Sequence, residues 1–179
     1  MAAGCNKAGL LLLLAVDVEN VNYRSLSMAY WLMKSEPETF GIDHLQQRGT
    51  ALWDGVRNYQ ARNFLRQMKV GDMAFFYHSN CKVPGIVGLM RIHKAGYPDP
   101  TQFNPEHHYY DPKSTQDNPR WTGVDVAFVE KWPEVLPLST LKEMPELADL
   151  ALVRKGNRLS LMPVTEAQWQ AILKAHRQQ

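Results

Sequence analysis

Cysteine is almost absent from this sequence, which holds only Cys5 and Cys81 in 179 residues. Two cysteines exclude a framework of disulfide bonds and a cysteine-rich zinc site. A single bridge between them is an open alternative that we do not favour, because Cys5 lies in a segment that looks dispensable to the fold. The scarcity of cysteine favours a reducing, cytoplasmic setting.

The sequence also lacks an excess of charge of one sign. It has 20 Lys and Arg against 18 Asp and Glu, a formal net charge of +2 and a pI of about 8.5. This balance excludes a histone-like, purely electrostatic grip on nucleic acid, so any phosphate contact must come from a local cluster of cations. The hydrophobic share of 45% and the charged share of 21% are typical of a globular protein, and the length suits one domain.

No apolar run is long enough to cross a bilayer, so we expect no membrane partner. The run at 10–16 is too short, and Asp17 and Glu19 follow it without a clear Ala-x-Ala cleavage site. Residues 17–27 show no periodicity and no helix caps, whereas an apolar, aromatic-rich segment begins at Met28. We therefore predict an N-terminal extension at 1–27, an upstream mis-start or disordered, and one domain at 28–179. Export is the less favoured alternative.

Sequence motifs of common enzyme classes are missing as well. The chain has no Gly-x-Gly-x-x-Gly, Walker A, Gly-x-Ser-x-Gly or His-Glu-x-x-His pattern. His107 and His108 near Asp111 make a metal site conceivable, but a solvated loop is the favoured interpretation. Cys81 beside Lys82 is more typical of a turn than of an activated thiol. We expect no catalytic residue, no metal and no cofactor.

Short strands and short helices alternate along the chain from residue 29. The patterns predict strands at 30–34, 73–78, 85–93, 123–132 and 159–164, and helices at 42–48, at 58–70 and from a Thr165 cap to residue 176. A polar, proline-rich connection between His93 and Thr122 is long enough to be functional or disordered. This order favours an α+β fold, a small, partly closed β-barrel of mixed strands flanked by short helices.

The first cluster of candidate binding residues lies where the first strand ends. Trp31 is followed by Lys34 and Ser35, and at a strand end such side chains are free to meet a ligand. We expect either Trp31 or Met33 to face the core and the other to reach a cavity. Taken alone, an ordinary surface Lys–Glu pair explains this cluster equally well.

The second cluster surrounds the start of the predicted helix at 58–70. Arg62 and Arg66 fall on the polar side of that helix, and its N-terminus offers free N–H groups to a phosphate. Asn58 carries an amide, which can donate to and accept from a base edge. A solvated basic helix face with Trp53 in the core is an equally good interpretation of any one of these residues.

The third cluster is an aromatic strand that runs into small polar residues. Alternation places Phe75 and Tyr77 on one face and Phe76 and His78 on the other, with Ser79 and Asn80 following. Trp121 supplies a further ring from the long connection. A cavity with aromatic walls and polar groups at its floor is what a single flipped-out base needs.

At these residues the sequence resembles the EVE domain family, a branch of the PUA-like superfamily. The resemblance extends from Met28 to about residue 176, and several long motifs occur in the right order. The matching stretches are YWLMKSEP (30–37), WDGVRNYQARN (53–63), FYHSN (76–80), GIVG (85–88), YPD (97–99), YDP (110–112), NPRW (118–121), VDV (124–126) and RLS (158–160).

The resemblance implies a PUA-like barrel and a module that reads a modified base in DNA or RNA. Methylated or hydroxymethylated cytosine and N6-methyladenine are the bases it suggests. With the three clusters, it predicts a base pocket formed by Trp31, Ser35, Trp53, Asn58, Tyr59, Tyr77, His78, Ser79, Asn80 and Trp121. The predicted phosphate contacts are Lys34, Arg57, Arg62, Arg66 and Arg158.

Two other function classes stay open at this point. The first is an enzyme that acts on a nucleotide or on RNA, with His78 and Lys34 as acid and base. The second is a sensor of a free modified nucleoside or another small planar anion. In each case a monomer is the default expectation.

Overall fold

The computed structural model of the protein describes residues 28–179, so the prediction of an N-terminal extension at 1–27 lies outside the described residues. The strands are β1 (Tyr30–Ser35), β2 (Thr50–Trp53), β3 (Met73–His78), β4 (Gly85–Pro98), β5 (Thr122–Pro137) and β6 (Leu161–Val164). The helices are α1 (Pro37–Phe40), α2 (Ile42–Arg48), α3 (Tyr59–Gln67), α4 (Leu138–Glu143) and α5 (Glu166–Arg177). Short 3-10 turns lie at Pro100–Phe103, Pro145–Leu147 and Ala151–Val153.

The six strands form one mixed sheet in the order β2-β5-β4-β3-β1-β6. β1 and β3 run parallel, and the other neighbours are antiparallel. The α+β class, with mixed strands and short helices, is confirmed. The sheet is open, since β2 and β6 lie at its two ends within the described residues. The register between β4 and β5 shifts at several points, and such bulges bend and twist these two long strands.

Both faces of the sheet are buried, and each face has its own hydrophobic core. The first face packs against α2 and α3, and the second against α4 and α5. Trp31 and Met33 share the first face because residues two apart on a strand point the same way. The expectation that they would divide between core and cavity was therefore wrong. Phe75 and Tyr77 lie together on the second face and Phe76 on the first, as the alternation predicted.

Side-chain caps set the starts of the two longer helices. The Asn58 Oδ1 accepts a hydrogen bond from the Ala61 N–H at 3.0 Å, which confirms its role as the cap of α3. Thr165 begins α5 in the same way. The helix α3 ends at Gln67, earlier than predicted, because the Asp72 carboxylate accepts from the Lys69 N–H at 2.9 Å and holds the chain there in a turn.

The long connection after residue 93 is ordered. β4 continues to Pro98, and the rest of the connection is fastened by the fully buried side chain of Gln102. Its amide nitrogen donates to the carbonyl oxygens of Asp99 and Trp121, and its amide oxygen accepts from the N–H groups of Arg120 and Trp121. One glutamine therefore satisfies four backbone groups and closes the loop into a fixed shape.

Among residues 28–179, no helix is long and apolar enough to span a membrane.

Candidate nucleic-acid interface

A cleft with a volume of about 910 Å³ opens on the first face of the sheet. It lies where β1 and β3 end, beside the loop that joins β2 to α3. This size falls within the range of about 300–1,000 Å³ that is typical of small-molecule sites. The cleft is lined by residues 34–36, 39–40, 48, 52–58, 79, 108–109 and 158–160.

Parallel pairing brings the polar edge of the cleft together. Because β1 and β3 run parallel, their carboxyl ends meet at the same edge of the sheet. There the Ser79 N–H donates to the Ser35 carbonyl at 2.9 Å, and the Lys34 N–H donates to the Ser160 carbonyl at 2.7 Å. Three residues with hydroxyl groups and one with an ammonium group therefore line one end of the cleft.

Aromatic rings from three separate segments line the cleft. Trp53, at the end of β2, is 6% exposed and meets the rings of Phe40 and Phe76 edge-on, with centroids 6.1 and 5.4 Å away. Tyr109 comes from the long connection. Its ring lies against Gly55, where a Cβ atom would stand 2.3 Å from Cε2 of the tyrosine. Gly55 also has φ +72°. This position therefore requires glycine for two reasons, the positive φ and the lack of space for a Cβ atom.

Tyr109 forms one wall of the cleft, and an ion pair between Asp99 and Arg57 holds this wall in place. We call the ion pair and its hydrogen bonds the Asp99–Arg57 network. Asp99 is 0% exposed, and its Oδ2 accepts from the Gly55 N–H at 3.0 Å and from Arg57 Nη1 at 2.8 Å. Thr101 donates to Oδ1 through its N–H and its hydroxyl. Burial alone would raise the pKa of Asp99, but hydrogen bonds from Thr101, Arg57 and Gly55 outweigh it and hold this pKa below its usual value.

The hydrogen-bond donors of Arg57 are all used within this network. Its Nε donates to the Tyr109 carbonyl at 2.9 Å, and Nη2 donates to Thr101 Oγ1 at 2.9 Å and also to the Tyr109 carbonyl. Nη1 donates to the Val56 carbonyl as well as to Asp99. With five hydrogen bonds made within the protein, the guanidinium of Arg57 positions the cleft wall and has no donor left for a phosphate.

Two ionisable groups of the cleft have shifted pKa values. Burial lowers the pKa of Lys34. Burial also raises the pKa of Asp54, and repulsion from the Asp99 carboxylate adds to this rise. The exposed guanidinium groups of Arg48 and Arg158 lie with Lys34 along the lining, so the mouth of the cleft carries positive charge.

The cleft brings together seven of the residues predicted from the sequence. Four come from the predicted base pocket and three from the predicted phosphate contacts. They are Ser35, Trp53, Asn58 and Ser79, and Lys34, Arg57 and Arg158.

Four predicted pocket residues lie elsewhere. The Trp31 indole is in the core, where its Nε1 donates to Asp72 Oδ2 at 3.1 Å. Tyr77 is buried on the second face of the sheet, and burial raises its pKa to about 12. The His78 Nε2 accepts from the Ile42 N–H at 3.1 Å and so caps α2. Asn80, with φ +52°, forms the turn after β3.

The remaining predicted residues, together with Arg120, which was not predicted, form a second surface at the start of α3. We call it the α3 ledge: Tyr59, Arg62, Arg66, Arg120 and Trp121. The Tyr59 ring is 48% exposed at its edge, but Trp121 stacks against it at 5.0 Å and the Arg62 guanidinium lies 4.7 Å from its centroid. Arg62 and Arg66 both donate to the Arg120 carbonyl. The ledge lies outside the cleft lining and presents three guanidinium groups beside it.

The predicted site residues omitted six residues of the lining that carry rings or charge. Arg48 ends α2, and the helix period that predicted α2 gave no sign that the cleft lies beside its end. The signal for Asp54 was its place inside the WDGVRN stretch, and that for Tyr109 was the length of the connection that carries it. The six are Glu36, Phe40, Arg48, Asp54, His108 and Tyr109. Within residues 28–179, no group of three or more candidate metal ligands comes together.

Comparison with known proteins finds a matching family and similar structures. The sequence model of the EVE domain matches residues 29–175. Human thymocyte nuclear protein 1 is 48% identical over 164 residues, which cover 81% of this chain and 72% of the human protein. A crystal structure of a Pseudomonas putida protein superposes with a TM-score of 0.82 at 57% identity, covering 83% of this chain and 99% of the bacterial one.

A second solved structure shows a ligand. The human THYN1 protein, crystallised in complex with 5-methylcytosine-containing DNA, superposes with a TM-score of 0.81 at 45% identity. The match covers 85% of this chain and 99% of the human one. On the family match and these relatives, the chain belongs to the EVE domain family.

Proposed function

We propose that this protein is a modified-base reader, which binds nucleic acid and takes one extruded base into the cleft. The observation that carries the proposal is the cleft itself, where aromatic rings, small polar groups and free cations from distant segments converge on one opening. The complex of human THYN1 with 5-methylcytosine-containing DNA supports it, because that chain shares this fold at 45% identity.

The cleft offers separate places for a base and for its phosphates. Trp53 and Tyr109 supply ring surface, and stacking of one base on an aromatic ring contributes about 1–3 kcal/mol. Stacking tolerates every base, so Ser35, Ser79 and Asn58 must supply hydrogen bonds. Lys34, Arg48 and Arg158 lie around this space and are the phosphate contacts that we propose, with the guanidinium groups of the α3 ledge flanking them.

The methyl group itself adds little free energy. Burying one methyl group stabilises a complex by about 1 kcal/mol, which corresponds to several-fold in affinity. A reader of this kind therefore prefers the modified base modestly and depends on phosphate contacts for most of its affinity.

Titration of labelled duplexes tests the proposal. Fluorescence anisotropy would compare 19-mers, a length of about two helical turns, that carry cytosine or 5-methylcytosine at one central position. We expect the methylated duplex to bind several-fold tighter. Equal affinities for plain, cytosine-modified and adenine-modified duplexes would contradict the proposal.

The sensor hypothesis is tested by the size of the ligand. Calorimetry with free 5-methylcytidine against a methylated oligonucleotide separates the two, because a sensor of free nucleosides gains nothing from flanking phosphates. We expect the oligonucleotide to bind much more tightly. No observation favours the enzyme hypothesis, since His78 is not part of the cleft lining while Lys34 is. A cytoplasmic location and a monomeric state stay predictions.

A further inference from the structure

A reader of 5-methylcytosine must distinguish this base from thymine. Thymine carries the same methyl group at C5, so a hydrophobic niche for that group accepts both bases. The two differ at position 4, where cytosine has an amino group and thymine a carbonyl oxygen. A reader that separates them needs an acceptor at that position, because an acceptor binds the amino group and repels the oxygen.

Most polar groups of the cleft are unsuited to this task. A hydroxyl group rotates and both donates and accepts, so Ser35 and Ser79 can satisfy either base. The Oδ1 of Asn58 already accepts from the Ala61 N–H, which leaves its amide nitrogen, a donor, facing other partners. An ionised carboxylate only accepts, and the cleft lining contains two: Glu36 and Asp54.

Asp54 is the better placed of these two acids. Glu36 is exposed, whereas Asp54 is half-buried and lies directly between the Trp53 wall and Gly55. The backbone at Gly55 is fixed by its hydrogen bond to Asp99, so Asp54 stands on a rigid turn. Among residues 28–179, the Asp54 carboxylate accepts from its own backbone N–H and from no other residue, and its pKa is raised by burial first and then by Asp99.

A half-buried carboxylate with one backbone donor and no ion-pair partner is incompletely satisfied in the free protein, and a ligand that brings a further N–H group relieves that cost. We propose that Asp54 accepts a hydrogen bond from the exocyclic amino group of the extruded base and thereby excludes thymine. The inference rests on the proposed function and assigns its specificity to one residue. The base class admitted is an aminopyrimidine with or without a methyl group at C5.

The experiment measures discrimination between 5-methylcytosine and thymine. Each base is placed opposite an abasic site in the same duplex, so that neither has a pairing partner to lose on extrusion. For the unaltered protein, we expect 5-methylcytosine to bind about tenfold tighter, the effect of one hydrogen bond to a charged group. In Asp54→Asn, the amide can turn its NH2 group toward the thymine oxygen, so the ratio falls to within about twofold because thymine binds better.

Two controls make the result specific. Glu36→Gln removes the same charge from the same cleft and is expected to keep the tenfold ratio. Asp54→Ala removes the acceptor altogether and is expected to lose the ratio through weaker binding of 5-methylcytosine. Thermal unfolding of each variant, followed by circular dichroism, confirms that it is folded.

The outcomes separate this inference from the proposed function. If the unaltered protein binds cytosine, 5-methylcytosine and thymine equally, the proposed function fails. If it prefers 5-methylcytosine over cytosine but Asp54→Asn keeps the full ratio against thymine, the role of Asp54 is overturned while the reader function stands. A ratio lost equally in Glu36→Gln assigns the effect to net charge and also overturns the role of Asp54.

Discussion

Arg57 and Asp99 join two segments that stand 42 residues apart in the chain. Their ion pair is surrounded by hydrogen bonds from Gly55 and Thr101, so the buried charges are satisfied. The same guanidinium holds the Tyr109 carbonyl and lies 5.4 Å from the centroid of its ring. The shape of the proposed base site therefore depends on residues whose own polar groups face the protein and not the ligand.

A substitution at Gly55 tests whether the position of the Tyr109 ring matters for stability and binding. In Gly55→Ala, the new Cβ atom meets the tyrosine ring at 2.3 Å, so the ring must move away from residue 55 and the shape of the cleft must change. We expect a loss of about 2–5 kcal/mol of stability, from a positive φ plus overpacking. Binding of methylated and plain oligonucleotides is expected to weaken together. Urea unfolding and anisotropy measure the two effects.

Gly49 is the matched control for this substitution. It has nearly the same φ, +73°, but nothing within 4 Å of the position of a Cβ atom. Gly49→Ala is therefore expected to show only a backbone cost, of about 1–2 kcal/mol or more because its ψ of −46° lies outside the left-handed helical region, and to retain binding. Equal losses of stability and affinity in the two variants would show that the contact with Tyr109 does not matter.

His78 makes stability depend on pH. Burial lowers its pKa, an effect that Asp43 opposes and Lys131 supports, and its Nε2 must stay unprotonated to accept from the Ile42 N–H. The folded state thus binds this proton less readily than the unfolded chain, whose histidine has a pKa of about 6.5. Its contribution is complete above that value and is lost as the pH falls from there toward the lowered pKa.

A comparison of variants isolates this effect. Glutamine keeps an acceptor but does not titrate, so we expect the stability of His78→Gln to fall less between pH 7.5 and pH 5 than that of the unaltered protein. Urea unfolding at both pH values measures the difference. His93→Gln, at an exposed position on β4, is the control and should follow the unaltered protein. Identical pH profiles for all three proteins would contradict the assignment.

At the scale of elements, local sequence patterns predicted most of the fold. The helix at 42–48 and the strand at 73–78 have their predicted bounds. The signals that predict them, such as a terminating glycine or a residue pattern, lie within or next to each element in the sequence. β2 was not predicted. It has four residues and owes its strand conformation to pairing with β5, more than 70 positions later in the chain. No local pattern records such a pairing.

Less of the candidate site than of the fold could be predicted, because contacts between distant segments bring its residues together. Polar residues such as Ser35 and Ser79 were found because each follows the end of a predicted strand, where side chains are free to meet a ligand. Tyr109 was missed because it is brought to the cleft by hydrogen bonds to Arg57, 52 residues away. Trp31 and His78 were placed in the pocket because sequence alone cannot show that Asp72 and α2 already use their polar atoms.

The helix α3 carries a prediction about phosphate contacts. Arg62 lies on the exposed side of this helix beside the cleft, and its replacement by alanine removes one cation from the α3 ledge. We expect Arg62→Ala to weaken the binding of all oligonucleotides alike and to make the slope of log K against log salt shallower by about 0.9. Arg177→Ala, in the last turn of α5 on the opposite face, should leave the slope unchanged. An unchanged slope in Arg62→Ala would remove the α3 ledge from the interface.

Across the whole molecule, the cations that could meet nucleic acid are concentrated around the cleft and on the α3 ledge. The net charge is only +2, so attraction to nucleic acid comes from where the cations lie. Three of them line the cleft in addition to the engaged Arg57, and three more stand on the α3 ledge. The rings of Trp53 and Tyr109 belong to the cleft lining. In the complex that we propose, the phosphates contact the cations and the base contacts the interior of the cleft.

This separation predicts how salt affects affinity and selectivity. Six cations allow a slope of log K against log salt no steeper than about −5, and affinity should fall steadily as salt rises. The preference for the methylated base comes from uncharged contacts inside the cleft, so the ratio of the two dissociation constants should stay constant. Anisotropy titrations of both duplexes at four salt concentrations between 50 and 300 mM, a range over which counterion release changes affinity strongly, measure both quantities. A ratio that collapses with salt would mean that the methyl group is sensed through the phosphate backbone, and the cleft would then not be the place where the base is read.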